Sequence, residues 1–580
     1  MDNSRKKEMV VKKTSKKLKK LINGNGKGKD KTKKTGKSAE NKKAEKEEPL
    51  EYIIRETEEE RMKEEIKEAK ARDSISKHLE KVTKELDAIG KKEVDVTGIE
   101  RMRVEISKLK EEITDVEKFR EDVTKKRYFG LFSVIILLLL LIIPMPGLSI
   151  LGQRAIAIFV FIIILWVSEV VPLPVTAFLP GILLYFFGIY GTPTESFKTY
   201  AHPAVFFIIG SLLLAQGLTQ SGIAKRLAVK ILTYSRNSAN LLLLLFVTVS
   251  AFLAMFISDH TVAAMLIPVA ILIVSMIELK GPFRIALVLA VAFGASIGGL
   301  ATPSGGARNA VTLGFLQELA GIELSYFTWM KAAAPLTLIM IPIVWIILRI
   351  TFPPPKDFSI ENALAEIKKT VKPMSTRQWR ALGVFGFTIL LFITSSSLID
   401  LGTIAIFGSI LMFLAGVIDW EEAERSIPWG IMFIYGAAIT MGISLKDTGA
   451  AEWLARGALN VLPSESPLLI MLSIIIVAAI ATEFLSGGAS AAILIPISLN
   501  IALISNIDPV LIALVTAIPT AFAFLTVYGT PPNTMAYSTG YFKQKDLLKA
   551  GLMVEILILL ALYTLVKTYW ITIGIWSGTF

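Results

Sequence analysis

The sequence predicts an all-α polytopic membrane protein. About eleven spans, two re-entrant hairpins and two broken helices form an inverted-topology repeat, preceded by a cytoplasmic coiled-coil-like helix. Three observations predict it. From Tyr128 onward the chain is mostly apolar, with charge confined to short breaks. Lys and Arg gather in alternate loops. Three blocks of the first membrane half return, in order, in the second.

Composition removes several function classes. The 580-residue chain carries a net charge of +12, most of it before Tyr128. A nucleic-acid binder shares that charge but not the apolar remainder, so no nucleic-acid partner is expected. There is no cysteine, hence no disulfide, thiolate–metal site or cysteine nucleophile. The only histidines are His78, His202 and His260, too few for a histidine-rich metal site. No nucleophile–base set or phosphate loop stands out, so neither an enzyme nor a cofactor is expected. The basic start lacks an adjacent apolar core and does not read as a cleavable signal.

Residues 1–50 are a basic tail with runs such as Lys16-Lys17 and Lys33-Lys34, expected to be disordered. It is either a solvated cytoplasmic tail or a polybasic contact for anionic lipid headgroups. Residues 51–127 read as a charged helix. Ile99, Met102, Ile106, Leu109, Ile113 and Val116 form an a/d seam. A coiled coil there suits a homodimer; an amphipathic helix on the membrane domain fits equally. Residues 128–352 form the first membrane half, a leading span plus repeat 1; 353–380 form a cytoplasmic linker; 381–580 form repeat 2. Spans are expected near 129–146, 151–171, 173–190, 203–222, 284–320, 334–352, 381–398, 400–418, 428–446, 507–540 and 551–572. The stretches 240–280 and 464–506 are each broken near the middle and are assigned as hairpins, although two full spans each would also fit.

Charge tests this threading. Loops 223–239, 353–380 and 541–550 carry Lys225, Arg226, Lys230 and Arg236, then Lys356, Lys368, Lys369, Lys372, Arg377 and Arg380, then Lys543, Lys545 and Lys549. Loops 191–202 and 321–333 hold only Lys198 and Lys331. The positive-inside rule then places the chain in the cell membrane with its N-terminus cytoplasmic and its C-terminus external.

The repeat is legible in residues. Segment 206–228 matches 432–455, with GSLLLAQGLTQSG against GAAITMGISLKDTG. Ser258-Asp259-His260 through Ile267-Pro268 matches Ser486-Gly487-Gly488 through Ile495-Pro496. Gly305-Gly306-Ala307-Arg308-Asn309 matches Gly529-Thr530-Pro531-Pro532-Asn533. Inverted repeats with broken helices near the bilayer midplane are the architecture of secondary transporters. A span broken at Gly and Pro frees backbone groups that an ion, water or substrate can satisfy. Half-helix N-termini favour an anion, and freed carbonyls suit Na⁺.

At these residues the chain resembles the divalent anion/sodium symporter family, which carries dicarboxylates, citrate or sulfate. The motifs are Trp166-Val167-Ser168-Glu169-Val170-Val171-Pro172, Thr482-Glu483-Phe484-Leu485-Ser486 and Gly529-Thr530-Pro531-Pro532-Asn533. The resemblance covers about 128–575; the extension before it is not part of the common pattern. It implies a dimer whose transport domain moves like an elevator against a scaffold, Na⁺ as coupling ion, and a small anion as substrate. It also implies hairpin tips of Ser-Asn-Thr that bind Na⁺ and touch substrate. Only Ser258, Ser486, Asn309, Asn533, Thr530 and Thr482 carry over directly.

The departures shape the site. The first tip has Asp259 and His260; the second has Gly487 and Gly488; Arg308 replaces the family's second proline. Intramembrane charge is a functional hypothesis by default. Asp259 is either a Na⁺ ligand or, with His260, a proton carrier. Arg308 is either an anion receptor or a structural partner of Asp259. Gly487 and Gly488 suit close anion approach or a tight turn. Glu483 suits a cation site or a backbone cap; Glu169 and Pro172 read as structural. The expected substrate contacts are thus Ser258, Asp259, His260, Arg308, Ser486, Gly487, Gly488 and Thr530. The expected cation ligands are Ser258, Asp259, Asn309, Thr482, Ser486 and Asn533, with no other metal. The leading expectation is Na⁺-driven symport of a dicarboxylate or sulfate-like oxyanion. H⁺ coupling, an oxyanion exporter and a membrane sensor moving its coiled coil are the alternatives.

Overall fold

Apolar segments that leave water must satisfy every backbone N–H and C=O internally, and a helix does so within one segment. A computed structural model gives residues 128–576, apart from 169, 278, 280, 357, 362–372, 428 and 462–465. The tail, the coiled-coil-like segment 51–127, Glu169 and the last four positions lie outside the described residues. Among the described residues the secondary structure is helical, with no strand.

Nine described helices are long and apolar enough to cross a membrane. Four of them are the hairpin arms Ala239–Phe256, Asp259–Met276, Pro467–Phe484 and Gly487–Ile504. The others are Ile150–Ser168, Pro193–Gln220, Tyr326–Thr351, Thr376–Ser395 and Gln544–Thr572. Several expected spans are shorter apolar helices, such as Tyr128–Ile142 and Leu401–Leu414. The expected span over 173–190 is another such shorter apolar stretch, Leu173–Phe186, interrupted between Leu173–Thr176 and Leu179–Phe186. Pro180 lacks an N–H to continue the first helix and instead starts the second.

The repeat reappears element by element. Pro203–Gln220 and Gly430–Asp447 are both 18 residues. Each then turns at a left-handed glycine, Gly222 (φ 79°) or Gly449 (φ 74°), where a Cβ would be strained. The 12-residue helices Ile223–Tyr234 and Ala450–Val461 follow. Next come two hairpins whose four arms are all 18 residues. Each half then has a broken helix: Phe283–Gly298 and Ala307–Phe315, or Pro509–Ala517 and Pro531–Ser538. Each closes on a long helix, Tyr326–Thr351 or Gln544–Lys567.

The first hairpin tip is interior. Ser258 and Asp259 are 8% and 5% exposed, and the Thr302 hydroxyl in the first break donates to the Met255 carbonyl of the first hairpin. In the second half the Thr526 hydroxyl donates to the Glu483 carbonyl at 2.8 Å. Each hairpin is therefore tied to the break of its own half, the first inside the protein and the second at a more exposed position, which favours the hairpin assignment over two full spans.

Candidate functional site

Each break frees backbone carbonyls, and one asparagine meets two of them. Asn309 Nδ2 donates to the carbonyls ten and seven residues earlier, Gly299 (2.9 Å) and Thr302 (2.8 Å). Asn533 Nδ2 donates to those ten and seven residues earlier in its own half, Ala523 (2.6 Å) and Thr526 (3.1 Å). Both side chains are fully buried, and in both the amide oxygen Oδ1 has no partner among the described residues. An orphaned buried acceptor is costly, and it recurs at the same place in both halves.

The first tip carries charge. Asp259 Oδ2 pairs with Arg308 Nη1 at 3.0 Å, and Oδ1 accepts from the His260 backbone N–H at 2.8 Å. Ser258 Oγ lies 2.7 Å from Thr261 Oγ1 and 3.2 Å from His260 Nε2. Of the expected alternatives for Arg308, the internal pair exists, but it uses one nitrogen. Nε and Nη2 are buried without a partner among the described residues. Together they form the parallel-donor edge of the guanidinium that reads a carboxylate in bidentate fashion.

Room for that guanidinium is built in. A Cβ on Gly306 would stand 3.1 Å from Arg308 Cζ, and one on Gly299 would stand 3.1 Å from Nη2. Counted back from the asparagine, the second half has Thr530 and Ala523 at these positions, and Pro532 where Arg308 stands.

The second tip differs. Ser486 Oγ accepts from Ala489 N–H as an N-cap (3.3 Å), and Thr530 Oγ1 accepts from Asn533 N–H (3.4 Å). Thr482 Oγ1 donates to Ala478 O within its own helix. Gly487 and Gly488 begin that tip's helix without positive φ, so the tight-turn reading is corrected: clearance is what demands glycine. A Cβ on Gly487 would overlap the Thr520 carbonyl oxygen, and one on Gly488 would overlap the Tyr435 hydroxyl. Glu483 takes the capping role, accepting from Leu525 N–H (2.9 Å) and Thr526 N–H (2.8 Å).

The fold thus gathers Ser258, Asp259, His260, Arg308 and Asn309 at one break, and Thr482, Ser486, Thr530 and Asn533 at the other. Gly487 links the two, since a Cβ there would lie 3.5 Å from Arg308 Cδ. A narrow cleft beside the first tip is lined by Phe207, Ser211, Ser258, His260, Ser304 and Gly306. A wider polar cleft, about 310 Å³, shares Phe207 and Ala310 with it and reaches His202, Glu323 and Asp400. Sequence reasoning missed Tyr435 and Glu555. Both are buried; the Tyr435 hydroxyl reaches the second tip from another helix, and Glu555 lies near Glu483. The one available signal was a carboxylate, Glu555, inside an otherwise apolar span.

Duplicated hairpins meeting duplicated helix breaks around buried polar side chains define a membrane transporter rather than an enzyme. The model of the sodium:sulfate symporter transmembrane region matches residues 125–576, and the chain belongs to that family. It is 30% identical over 474 residues to the sodium-dependent dicarboxylate transporter SdcS of Staphylococcus saprophyticus, covering 75% of this chain and 90% of that protein. It is 28% identical over 438 residues to an uncharacterized transporter of Haemophilus influenzae, covering 72% and 92%. The crystal structure of the YdaH transporter of Alcanivorax borkumensis matches 68% of this chain and 89% of its own, with TM-score 0.49 and 16% identity, a likeness too distant to carry an argument.

Proposed function

We propose that the chain is a Na⁺-coupled symporter of a small dicarboxylate. The observation that carries this is the unpartnered Nε–Nη2 edge of Arg308, buried between the two tips. A buried guanidinium with half its donors unused is poised for a carboxylate. The relatives named as sodium-dependent dicarboxylate transporters point the same way.

Na⁺ fits the orphaned Asn309 and Asn533 oxygens, because hard cations take amide and carbonyl oxygens. The second break fits it better. At the first break the Asp259 carboxylate is already taken by Arg308, next to Asn309, whereas at the second the Glu483 carboxylate faces the break and no cation stands beside Asn533 in sequence. From Pro203–Gln220 to Gly430–Asp447 the chain crosses five times if each hairpin returns to its own side: once in that first helix, then in the broken helix, Tyr326–Thr351, Thr376–Ser395 and Leu401–Leu414. An odd count inverts the second repeat. Inverted halves sharing a central site support alternating access, read here as an elevator in a homodimer. The joined clefts form the access path.

A second reading, H⁺ coupling, rests on His260. It lines the narrow cleft and lies 3.4 Å from Asp259 Oδ1, within reach of both water and a buried carboxylate. Uptake of labelled succinate into proteoliposomes separates the two readings. A Na⁺ gradient at equal pH is expected to drive it, and a pH gradient without Na⁺ is not. Uptake driven only by protons moves coupling to Asp259 and His260. No uptake of succinate, with sulfate run in parallel, overturns the dicarboxylate assignment.

A further inference from the structure

The two tips present opposite chemistry at matching positions. After Ser258 come the side chains of Asp259 and His260; after Ser486 come two glycines. The space beside the second tip is not empty. The Tyr435 hydroxyl fills the place of a Cβ on Gly488, and the Arg308 chain passes within contact of Gly487. Tyr435 comes from a different helix, Gly430–Asp447, and is 9% exposed. Its hydroxyl stands at Gly488, one residue from the Gly487 that Arg308 passes. Its hydroxyl makes no hydrogen bond among the described residues.

We infer that Tyr435 is a substrate-contacting, specificity-determining residue: its hydroxyl and the Arg308 Nε–Nη2 edge form one oxyanion receptor, supplied across the second tip by side chains from outside it. The inference rests on the proposed anion transport and deepens it. A phenol O–H beside a forked guanidinium gives three converging donors and no acceptor requirement, which suits a carboxylate. Glycine at 487 and 488 is then the clearance this receptor needs, so position 488 and Tyr435 are coupled. A side chain enters one only if the other gives way.

The test uses the full chain in proteoliposomes with labelled succinate, beside thermal-shift measurements with succinate and sulfate. Tyr435→Phe removes one oxygen and keeps the packing. It is expected to raise KM for succinate by roughly tenfold, leaving the maximal rate and the Na⁺ dependence unchanged. Gly488→Ser alone is expected to abolish uptake, because its side chain meets the phenol oxygen. In Gly488→Ser/Tyr435→Ala the collision is gone and a hydroxyl returns from the tip, so uptake exceeds that of either single variant. Unchanged KM in Tyr435→Phe, or a double variant no better than Gly488→Ser, overturns the inference while wild-type uptake leaves the transport reading intact. If wild type neither transports succinate nor is stabilised by either anion, the transport reading itself falls, and the inference falls with it.

Discussion

The two breaks share a frame and differ in charge. In both, an asparagine donates to the carbonyls ten and seven residues before it, and a threonine hydroxyl donates to the adjoining hairpin. Around that frame the first half has Gly299, Gly306 and Arg308, and the second has Ala523, Thr530 and Pro532. The first half fixes a cation inside the site and opens two glycines for it. The second stiffens its half-helix with proline and sets the carboxylate of Glu483 behind it, where the first half has Met255. Backbone satisfaction is common to both halves because any broken membrane helix requires it. Charge is free to diverge, and under the function proposed above the divergence divides the ligands: anion at the first break, cation at the second.

The largest effect should follow from removing the cation. Arg308→Gln leaves Asp259 buried and unpaired, at a cost of about 3–5 kcal/mol, with loss of succinate uptake. Asp259→Asn/Arg308→Gln removes both charges and should recover most of the melting temperature. If uptake stays absent in that stable double variant, Arg308 serves the anion. If uptake returns, the pair only held the tip and the division of labour fails.

Much of this was legible in sequence, for physical reasons. The hairpins and the breaks follow from residues that recur in a repeat, where each half supports the reading of the other; the Asp259–Arg308 pair was one of two alternatives, read from charge departing from that repeat. The unpartnered edge of Arg308 does not, because it depends on rotamer and on what surrounds it. Gly487 and Gly488 were visible as glycines, but their reason, the Thr520 carbonyl and the Tyr435 hydroxyl, lies on other elements. Glu555 is buried on Gln544–Lys567 with Oε2 unpartnered among the described residues, and its neighbours Glu483 and Phe524 lie on other segments. The interruption within 173–190 was not legible because hydropathy averages over Pro180, whereas the backbone does not.

A smaller effect should separate the halves by ion. Asn309→Ala and Asn533→Ala each remove two hydrogen bonds to freed carbonyls, so their losses of stability should match, at about 2 kcal/mol each. Their Na⁺ dependence should not match. If the cation binds at the second break, Asn533→Ala raises the Na⁺ concentration needed for half-maximal uptake and Asn309→Ala shifts it far less. Equal shifts would place a working Na⁺ site beside Arg308 and dissolve the asymmetry.

The smallest effect concerns the serines that open the tips. Ser486 caps its helix through Ala489 N–H, whereas Ser258 makes no cap and spends its hydroxyl on Thr261 and His260. Ser486→Ala should therefore cost about 1 kcal/mol in thermal unfolding, the usual worth of an N-cap. Ser258→Ala should cost less in stability, yet it frees His260 Nε2 beside the narrow cleft. A pH dependence of uptake that changes in Ser258→Ala but not in Ser486→Ala would tie the first tip to proton chemistry. Identical pH profiles would leave both serines as local geometry, with the halves differing only in what Arg308 and Glu483 bring to them.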